Sequence, residues 1–376
     1  MKTEAKGALR ALAGLSVILF LSSRLALAQS GAMPQAGKTT DEVFKNIQVL
    51  KGIPSDQLLP TMQFVAAALG QRCTFCHVED AFDKDDKKEK QTARKMMQMV
   101  LAINKDDFKG RVTVSCYTCH RGNQDPVGTP VISDTDIRPE RPRAGGPGGP
   151  GGERPQGPTA DQLLDKYLQA VGGVDALAKI TSRAAKGNVL AADGGKTPVE
   201  IYGKGTEQRI VIMHAAQGDT ISGYDGNAGW TSNPERGPRD MSAADLEAAK
   251  LEDGLYLATH VRQIYSRWRA GRPEKIGGRD TTVLNGSAPG HLPVRLYFDA
   301  QSGLLLRMIH FIETPLGRLP GQVDYADYRD QDGVKVPYRL ILGRPSGRTT
   351  IQFDLVQDNL PVEDSKFAKP AAPARP

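Results

Sequence analysis

Two five-residue motifs constrain this chain more than any other feature: "CTFCH" at Cys73–His77 and "CYTCH" at Cys116–His120. Together they contain all four cysteines of the 376-residue sequence. Two cysteines three positions apart can bond to the two vinyl groups of one porphyrin, while the following histidine reaches the iron from one face. The motifs therefore predict two covalently bound haem c groups, attached through Cys73, Cys76, Cys116 and Cys119 and ligated by His77 and His120.

Three other interpretations of the cysteines stay open on the motifs alone. One zinc ion could bind all four, but 39 residues separate the pairs and zinc leaves the two histidines unexplained. A thioredoxin-like redox site expects one CxxC after a strand of a βαβ unit, and neither motif has that setting. A disulfide within each CxxC would be strained and would not need a histidine beside it.

The N-terminus has the layout of a secretory signal peptide, residues 1–28. Three basic residues precede the apolar stretch Ala11–Leu21, and a small-residue cleavage site ends at Ala28. We expect export to the periplasm, followed by a flexible leader at 29–40. An uncleaved segment, which would keep the protein membrane-associated, is the alternative.

Apolar spacing predicts a helical domain over residues 41–135. One helix is expected from Asp41 to about Leu50, and a second from Ser55 to Leu69 with Gly70 as its stop. A third carries Met96, Met99, Val100 and Ile103 on one face. The charged stretch "DKDDKKEK" at 83–90 is interpreted as a solvated loop. Six prolines and seven glycines between 139 and 158 then predict a linker over 136–158.

A second, β-rich domain is expected over 159–366. It begins with a helix that has a capping-box signature at Thr159 and Gln162, and ten strand patterns follow. Residues 299–303 and 330–333 are predicted hairpin loops, and Ala243–Arg269 a helical interruption. The fold class is therefore multidomain: a mainly α-helical dihaem c-type cytochrome domain, then an α+β domain with an antiparallel open or half β-barrel. Residues 367–376 are expected to form a disordered tail.

Each predicted iron needs a sixth ligand or keeps an open position. A helical methionine would complete His/Met coordination, which suits electron transfer. Met62 lies eleven residues before Cys73, and Met96 lies twenty before Cys116. Both could equally be core methionines, and Met97 and Met99 are competitors of Met96.

The stretches "VFKNIQVLKGIPSDQLLPTMQFVAAALGQRCTFCHVED", "ARKMMQM", "AIN" and "VSCYTCHRGN" resemble the cytochrome c subunit of photosynthetic reaction centres, from Val43 to about Pro130. In that family a helix donates a methionine across each porphyrin from the histidine of the attachment motif. The resemblance implies that the first iron is ligated by His77 and Met62 and the second by His120 and Met96. Reaction-centre members carry four haems, whereas this chain has one pair of motifs. Phe108 stands near the place of a histidine that the family uses for a more distant haem.

The β-rich domain loosely resembles the half-barrel of periplasmic lipoprotein-sorting proteins, through its first helix, its run of hairpins and "GYDGNAGW". That family holds acyl chains on a concave sheet, so a lipid or lipoprotein partner is implied. A barrel filled with its own side chains is the alternative. The histidines of this domain have no metal-ligand spacing and are expected to be surface or hydrogen-bonded residues: His214, His260, His291 and His310.

The sequence favours an exported electron carrier and no enzymatic activity. Redox partner proteins at the membrane are expected, such as a quinol-oxidising or reaction-centre-like complex. The net charge of +6 forms no basic run with interleaved aromatics, which argues against nucleic acid. Alternatives are a periplasmic lipid- or lipoprotein-binding module with a redox-sensing haem domain, and a haem peroxidase with one open iron.

Overall fold

The computed structural model describes residues 37–128, 158–191, 193–235, 237–345 and 347–371. The predicted signal peptide, most of the leader and nearly all of the linker lie outside these ranges. The described residues from Lys38 onward belong to one structural unit. No helix in the described ranges is long and apolar enough to cross a membrane.

The first region is helical. A short 3-10 turn, Ser55–Gln57, leads into the second of its helices, and Gly70 ends that helix with a φ of 63°. The five helices are α1 Thr40–Val43, α2 Leu58–Leu69, α3 Cys73–Cys76, α4 Lys88–Asp107 and α5 Cys116–His120.

The long first helix expected up to Leu50 was wrong. Helix α1 ends at Val43, and Phe44 has the extended backbone angles φ −113° and ψ 147°. Thr40 is fully buried, and its hydroxyl donates a hydrogen bond to the Leu50 carbonyl. The chain therefore turns back on itself after one helical turn, and ordered packing begins before the predicted end of the leader at residue 40.

The second region consists of strands with four helices. The helices are α6 Ala160–Ala170, α7 Val174–Ala178, α8 Ala243–Leu251 and α9 Gly254–Ile264, and a 3-10 turn spans Asp364–Phe367. The strands are β1 Ser182–Leu190, β2 Lys196–Lys204, β3 Gln208–Ala215, β4 Gly218–Asp225, β5 Gly229–Asn233, β6 Gly237–Asp240, β7 Arg267–Ala270, β8 Lys275–Ile276, β9 Arg279–Ser287, β10 Val294–Asp299, β11 Leu305–Thr314, β12 Gly317–Gln331, β13 Val334–Arg344 and β14 Gly347–Asp358.

These strands form one antiparallel sheet in the order β6-β5-β4-β3-β2-β1-β14-β13-β12-β11-β10-β9-β7, with β8 paired to β9. The first strand pairs with the last along Arg183–Leu190, which joins two meanders into one surface. Strands β6 and β7 are its two ends, so the sheet is open, as the sequence predicted. Both expected hairpin loops are present, between β10 and β11 and between β12 and β13.

Two expected boundaries of this region need correction. The helical interruption ends at Ile264, because Arg267–Ala270 pairs with β9 as a strand. The domain also continues past residue 366: Phe367 is 1% exposed, and Lys369 Nζ lies 2.6 Å from Asp240 Oδ1. A buried aromatic side chain holds the start of the predicted tail against the sheet region.

One large core lies between the sheet and its helices. Helix α6 starts with the predicted capping box, in which Gln162 N donates to Thr159 Oγ1 at 3.2 Å. Its apolar stripe then packs on the inner side chains of the strands. The stripe consists of Leu163, Leu164, Tyr167 and Leu168.

A smaller core belongs to the helical region and takes in part of the sheet. Helix α2 contributes Phe64 and Val65, and the β11–β12 hairpin contributes Leu316 and Leu319. Leu316 is fully buried, and the Phe64 ring lies directly over the backbone of Gly317, where a side chain would not fit. The two regions therefore share a hydrophobic core at this hairpin.

Candidate functional site

Each predicted attachment motif forms a single helical turn. Helix α3 contains the first cysteine pair, and α5 contains the second together with its histidine. Because residues three apart on a helix lie on the same side, each turn brings its two thiols to one face. Ser115 caps α5 through the Thr118 side chain, whose hydroxyl accepts from Ser115 N at 3.0 Å.

Both motif histidines are oriented by a backbone carbonyl. His77 Nδ1 lies 2.8 Å from the Phe82 carbonyl oxygen, and His120 Nδ1 lies 3.2 Å from the Asn123 carbonyl oxygen. Since a carbonyl only accepts, Nδ1 carries the proton in each ring, and Nε2 keeps a lone pair. Metal-binding histidines are typically held in this way, with the other ring nitrogen donating to a carbonyl or carboxylate.

A cavity of about 260 Å³ lies between the two attachment turns. One cysteine of each pair, Cys76 and Cys116, lines it, and so does Met96. Its other walls come from α2, α3, α4 and the loop after α5: Val65, Leu69, Phe75, Lys88, Glu89, Thr92, Ala93, Met97, Gln124 and Asp125. Each motif offers the donor types that haem c needs, two thiols and an imidazole, but only one thiol of each pair lines this cavity.

The methionines differ in position. Met96 is 39% exposed and faces this cavity, as does Met97, which is 7% exposed. Met99 is exposed and lies outside the cavity lining. Met62 is half-buried on α2, packed against the small core. The structure thus keeps Met97 as a competitor of Met96, and it leaves Met62, His77, His120, Cys73 and Cys119 outside the cavity walls.

The thiols themselves bear on the alternative interpretations. All four cysteines are free, and burial raises the pKa of the Cys76 and Cys116 thiols. An activated redox dithiol needs a shift in the opposite direction. Within the part of the chain that the structure describes, no three His, Cys, Asp or Glu side chains are grouped as they would be around a shared metal ion.

A close backbone contact joins the two attachment turns. Gly122 N donates to the Ala68 carbonyl at 2.9 Å, and a Cβ added at Gly70 would collide with the Gly122 carbonyl oxygen. Gly70 precedes Cys73, and Gly122 follows His120. The end of α2 therefore fixes one attachment turn against the other.

Asn104 holds the approach to the second motif. It is 4% exposed, and its Oδ1 accepts from Thr113 N at 2.9 Å and Val114 N at 2.8 Å. Its Nδ2 donates to the Val114 carbonyl at 2.7 Å. The prediction from sequence gave Asn104 no role, although it lies in the "AIN" stretch. An amide side chain among the apolar residues of a helix was the signal that could have indicated one.

The charged stretch at 83–90 differs from the predicted solvated loop. Helix α4 begins at Lys88, and Asp85 has partners within the protein. Asp85 accepts hydrogen bonds from Arg94 Nη1 at 2.8 Å and from Asn46 Nδ2 at 2.9 Å, and it lies 3.1 Å from Lys90 Nζ. The Arg94 hydrogen bond is the largest cause of an Asp85 pKa held far below the usual range. This carboxylate ties the loop to α4 and to the turn after α1.

The sheet region has a separate cavity of about 100 Å³ beneath α6 and α9. Its walls are mainly apolar, but the buried hydroxyl of Tyr325 makes no hydrogen bond there. At its edge, Glu252 accepts from His310 Nε2 at 3.0 Å and from Arg344. His310 is 2% exposed, so it is a buried hydrogen-bonded histidine, while His214 and His291 pair with exposed or half-buried carboxylates.

Two CxxCH turns, each with a histidine that donates through Nδ1 to a backbone carbonyl, have the arrangement expected of a c-type cytochrome region. Residues 17–143 match the family model described as photosynthetic reaction centre cytochrome C subunit. The photosynthetic reaction center cytochrome c subunit of Thermochromatium tepidum is 37% identical over 100 residues, which is 25% of this chain and 24% of that protein. Cytochrome c-554 of Chloroflexus aurantiacus is 37% identical over 82 residues, or 20% of each chain.

This region is therefore related to the reaction centre cytochrome subunits, as the motifs indicated. The chain spans about a quarter or less of the length of these curated relatives. A crystal structure of a LolA superfamily protein from Nitrosomonas europaea is 17% identical with a TM-score of 0.39, over 57% of this chain and 99% of that one. A likeness at this level says nothing about what the sheet region binds.

Proposed function

We propose that the protein is an exported dihaem c-type cytochrome that carries single electrons through two His/Met-ligated haems. The observation that carries this proposal is the orientation of both motif histidines, whose Nδ1 atoms donate to the Phe82 and Asn123 carbonyls. That arrangement presents Nε2 to a metal at both motifs. Bound haem would supply the one-electron chemistry.

The chain's own residues would attach, orient and shield the groups. The two thiols of each turn would hold one haem covalently. His77 with Met62, and His120 with Met96, are the proposed ligands of the two irons. Val65 and Met97, which are buried in the cavity wall, would shield part of the group from water.

Haem quantification of the purified, exported chain tests the core of this proposal. We expect two haems per chain, and one in the variant that combines Cys116→Ser with Cys119→Ser. Zero haem with bound zinc would reject the proposal outright.

Spectra of methionine variants test the axial ligands. Met62→Ala and Met96→Ala should each remove one of two methionine–iron bands, and Met99→Ala is the matched control that should keep both. A band lost in Met97→Ala instead of Met96→Ala would transfer the second ligand to Met97. If Met62→Ala or Met96→Ala changes nothing, an open iron and the peroxidase alternative gain.

Export and partners belong to the same proposal. We expect a mature N-terminus directly after Ala28, in the periplasmic fraction, and electron exchange with a membrane complex of the quinol-oxidising or reaction-centre-like kind. Mass spectrometry of the mature protein checks the first point. Reduction of the purified protein by membranes with and without added quinol checks the second.

A second candidate function, lipid or lipoprotein binding at the sheet region, is favoured by the unpaired Tyr325 hydroxyl in its apolar cavity. The cavity is small for an acyl chain, because an engineered cavity of about 150 Å³ holds only a benzene-sized molecule. Its volume is about 100 Å³, so the helices would have to separate from the sheet before an acyl chain could enter. Native mass spectrometry distinguishes the cases: co-purifying lipid supports binding, and a lipid-free chain supports a self-filled core.

A further inference from the structure

The two motif histidines donate to carbonyls in different electrostatic settings. The Phe82 carbonyl oxygen, which accepts from His77 Nδ1 at 2.8 Å, also accepts from Lys90 Nζ at 2.9 Å. Lys90 is 8% exposed, and the same ammonium donates to the Lys84 carbonyl at 2.7 Å. A buried cation and a motif histidine therefore share one acceptor.

Within residues 37–128, the second motif shows no such shared cation. His120 Nδ1 donates at the longer distance of 3.2 Å to the Asn123 carbonyl. Among residues 37–128 of the described chain, no lysine or arginine side chain hydrogen-bonds to that carbonyl. The Asn123 side chain instead donates back to the His120 carbonyl at 3.3 Å.

The charges around Lys90 do not cancel. Asp85 lies 3.1 Å from Lys90 and 2.8 Å from Arg94, so one carboxylate faces two cations. Both cations are largely buried, with side chains 9% and 14% exposed, whereas the Asp85 side chain is 37% exposed. The group of Lys90, Arg94 and Asp85 therefore carries a net positive charge beside the first motif.

Two effects of this charge act in the same direction. A carbonyl that already accepts from an ammonium attracts the His77 N–H less, so the imidazole is a weaker electron donor to a metal at Nε2. A cation beside the site also disfavours the additional positive charge of an oxidised iron. Second-shell hydrogen bonds and burial are among the levers by which proteins set haem potentials.

We propose that Lys90 is a positioning residue that raises the reduction potential of the first haem above that of the second. The inference rests on the proposed function, because it requires iron at His77 and at His120. A single electron distributed between the two haems would then reside mainly on the first, and the second would be left oxidised. The direction of electron flow within the chain follows from a lysine outside both attachment motifs.

The test is a redox titration of the full exported chain with Lys90→Met, which removes the charge and the donor at similar side-chain volume. The spectra of Met62→Ala and Met96→Ala assign the two steps to their sites. We expect the equilibrium ratio that favours the first haem to fall roughly three- to tenfold. Lys95→Met, an exposed lysine of the same helix, should change the ratio by less than about twofold.

Asp85→Asn supplies a sign test that a purely structural role would not pass. It removes the counter-charge of Lys90 and Arg94, so the ratio should rise where Lys90→Met makes it fall. Lys90→Gln, which keeps a donor, should act in the same direction as Lys90→Met but more weakly. Two haems with an unchanged ratio in both Lys90 variants would overturn the inference, whereas failure to find two haems in the parent chain would overturn the proposed function.

Discussion

The helical region and the sheet region bury their apolar side chains to different degrees. The sheet core draws on four helices and most of the strands, and Trp230, Tyr224 and Phe298 are almost fully buried in this region. The helical region is much shorter, yet it holds most of the large exposed apolar residues of the described chain: Val43, Phe44, Leu59, Phe82, Met96, Met99, Val112 and Tyr117.

This difference shows where each region gets its stability. The sheet and its four helices form a large core from their own side chains. The helical region has a small core that is completed by two leucines of the β11–β12 hairpin. Apolar side chains around its attachment turns are then available to cover a large planar group. We infer that the helical region depends on its neighbours and its cofactors in a way that the sheet does not.

The substitution Leu316→Asp tests most directly whether the helical region depends on the sheet region. Leu316 is fully buried in the helical core although the hairpin carries it, and burying a charge there should cost about 3–5 kcal/mol. Hydrogen exchange should rise in α2 while β1 and β14 stay protected. Leu355→Asp, at an exposed leucine of β14, is the control. Unchanged protection in α2 would mean that the helical core does not need the hairpin.

A matched glycine pair sharpens the comparison within the helical region. Gly52 and Gly70 both have positive φ, 74° and 63°, but nothing lies within 4 Å of a Cβ added at Gly52. Gly52→Ala should therefore cost only the left-handed backbone strain, about 1 kcal/mol. Gly70→Ala must also displace the Gly122 carbonyl and should cost about 3 kcal/mol. Denaturant unfolding followed by the haem absorbance measures both, and equal costs would remove the role given to the backbone contact.

Local patterns predicted much of this fold. Helix α2 and its Gly70 stop, the capping box of α6 and the open antiparallel sheet all follow from spacing and turn residues within a few positions. Each of these features depends on neighbours in sequence, which a periodic pattern can reveal.

The remaining features depend on contacts between distant residues. Thr40 hydrogen-bonds to the Leu50 carbonyl, and Asn104 to the Val114 carbonyl ten residues away. Lys90 and Asp85 look like solvated charges in the sequence, because no local pattern shows that Lys90 meets the Phe82 carbonyl or that Asp85 meets Arg94. Leu316 looks like a turn residue of a hairpin. Its insertion into another region's core has no signature in the surrounding pattern.

A smaller effect than those of Leu316→Asp and Gly70→Ala concerns the acid stability of the sheet region. Burial would raise the pKa of Glu252, but hydrogen bonds from His310 and Arg344 offset this and hold it below its usual value. A carboxyl with a lowered folded pKa stabilises fully above its unfolded pKa, near 4.3, and this contribution is lost as the pH falls through the folded value.

Glu252→Gln should therefore destabilise the sheet by about 2 kcal/mol at pH 5, since hydrogen bonds to a charged group are lost. The gap to the parent should narrow on the acid side as the parent's own carboxylate is protonated. Urea unfolding between pH 5 and pH 3, followed by hydrogen exchange in β11 and β13, measures it. Glu313→Gln, at an exposed ion pair of the same region, is the control and should show only a small gap to the parent. A Glu252→Gln gap that widens on acidification would mean that the buried carboxyl is protonated in the folded sheet, and that Arg344 and His310 do not hold it ionised.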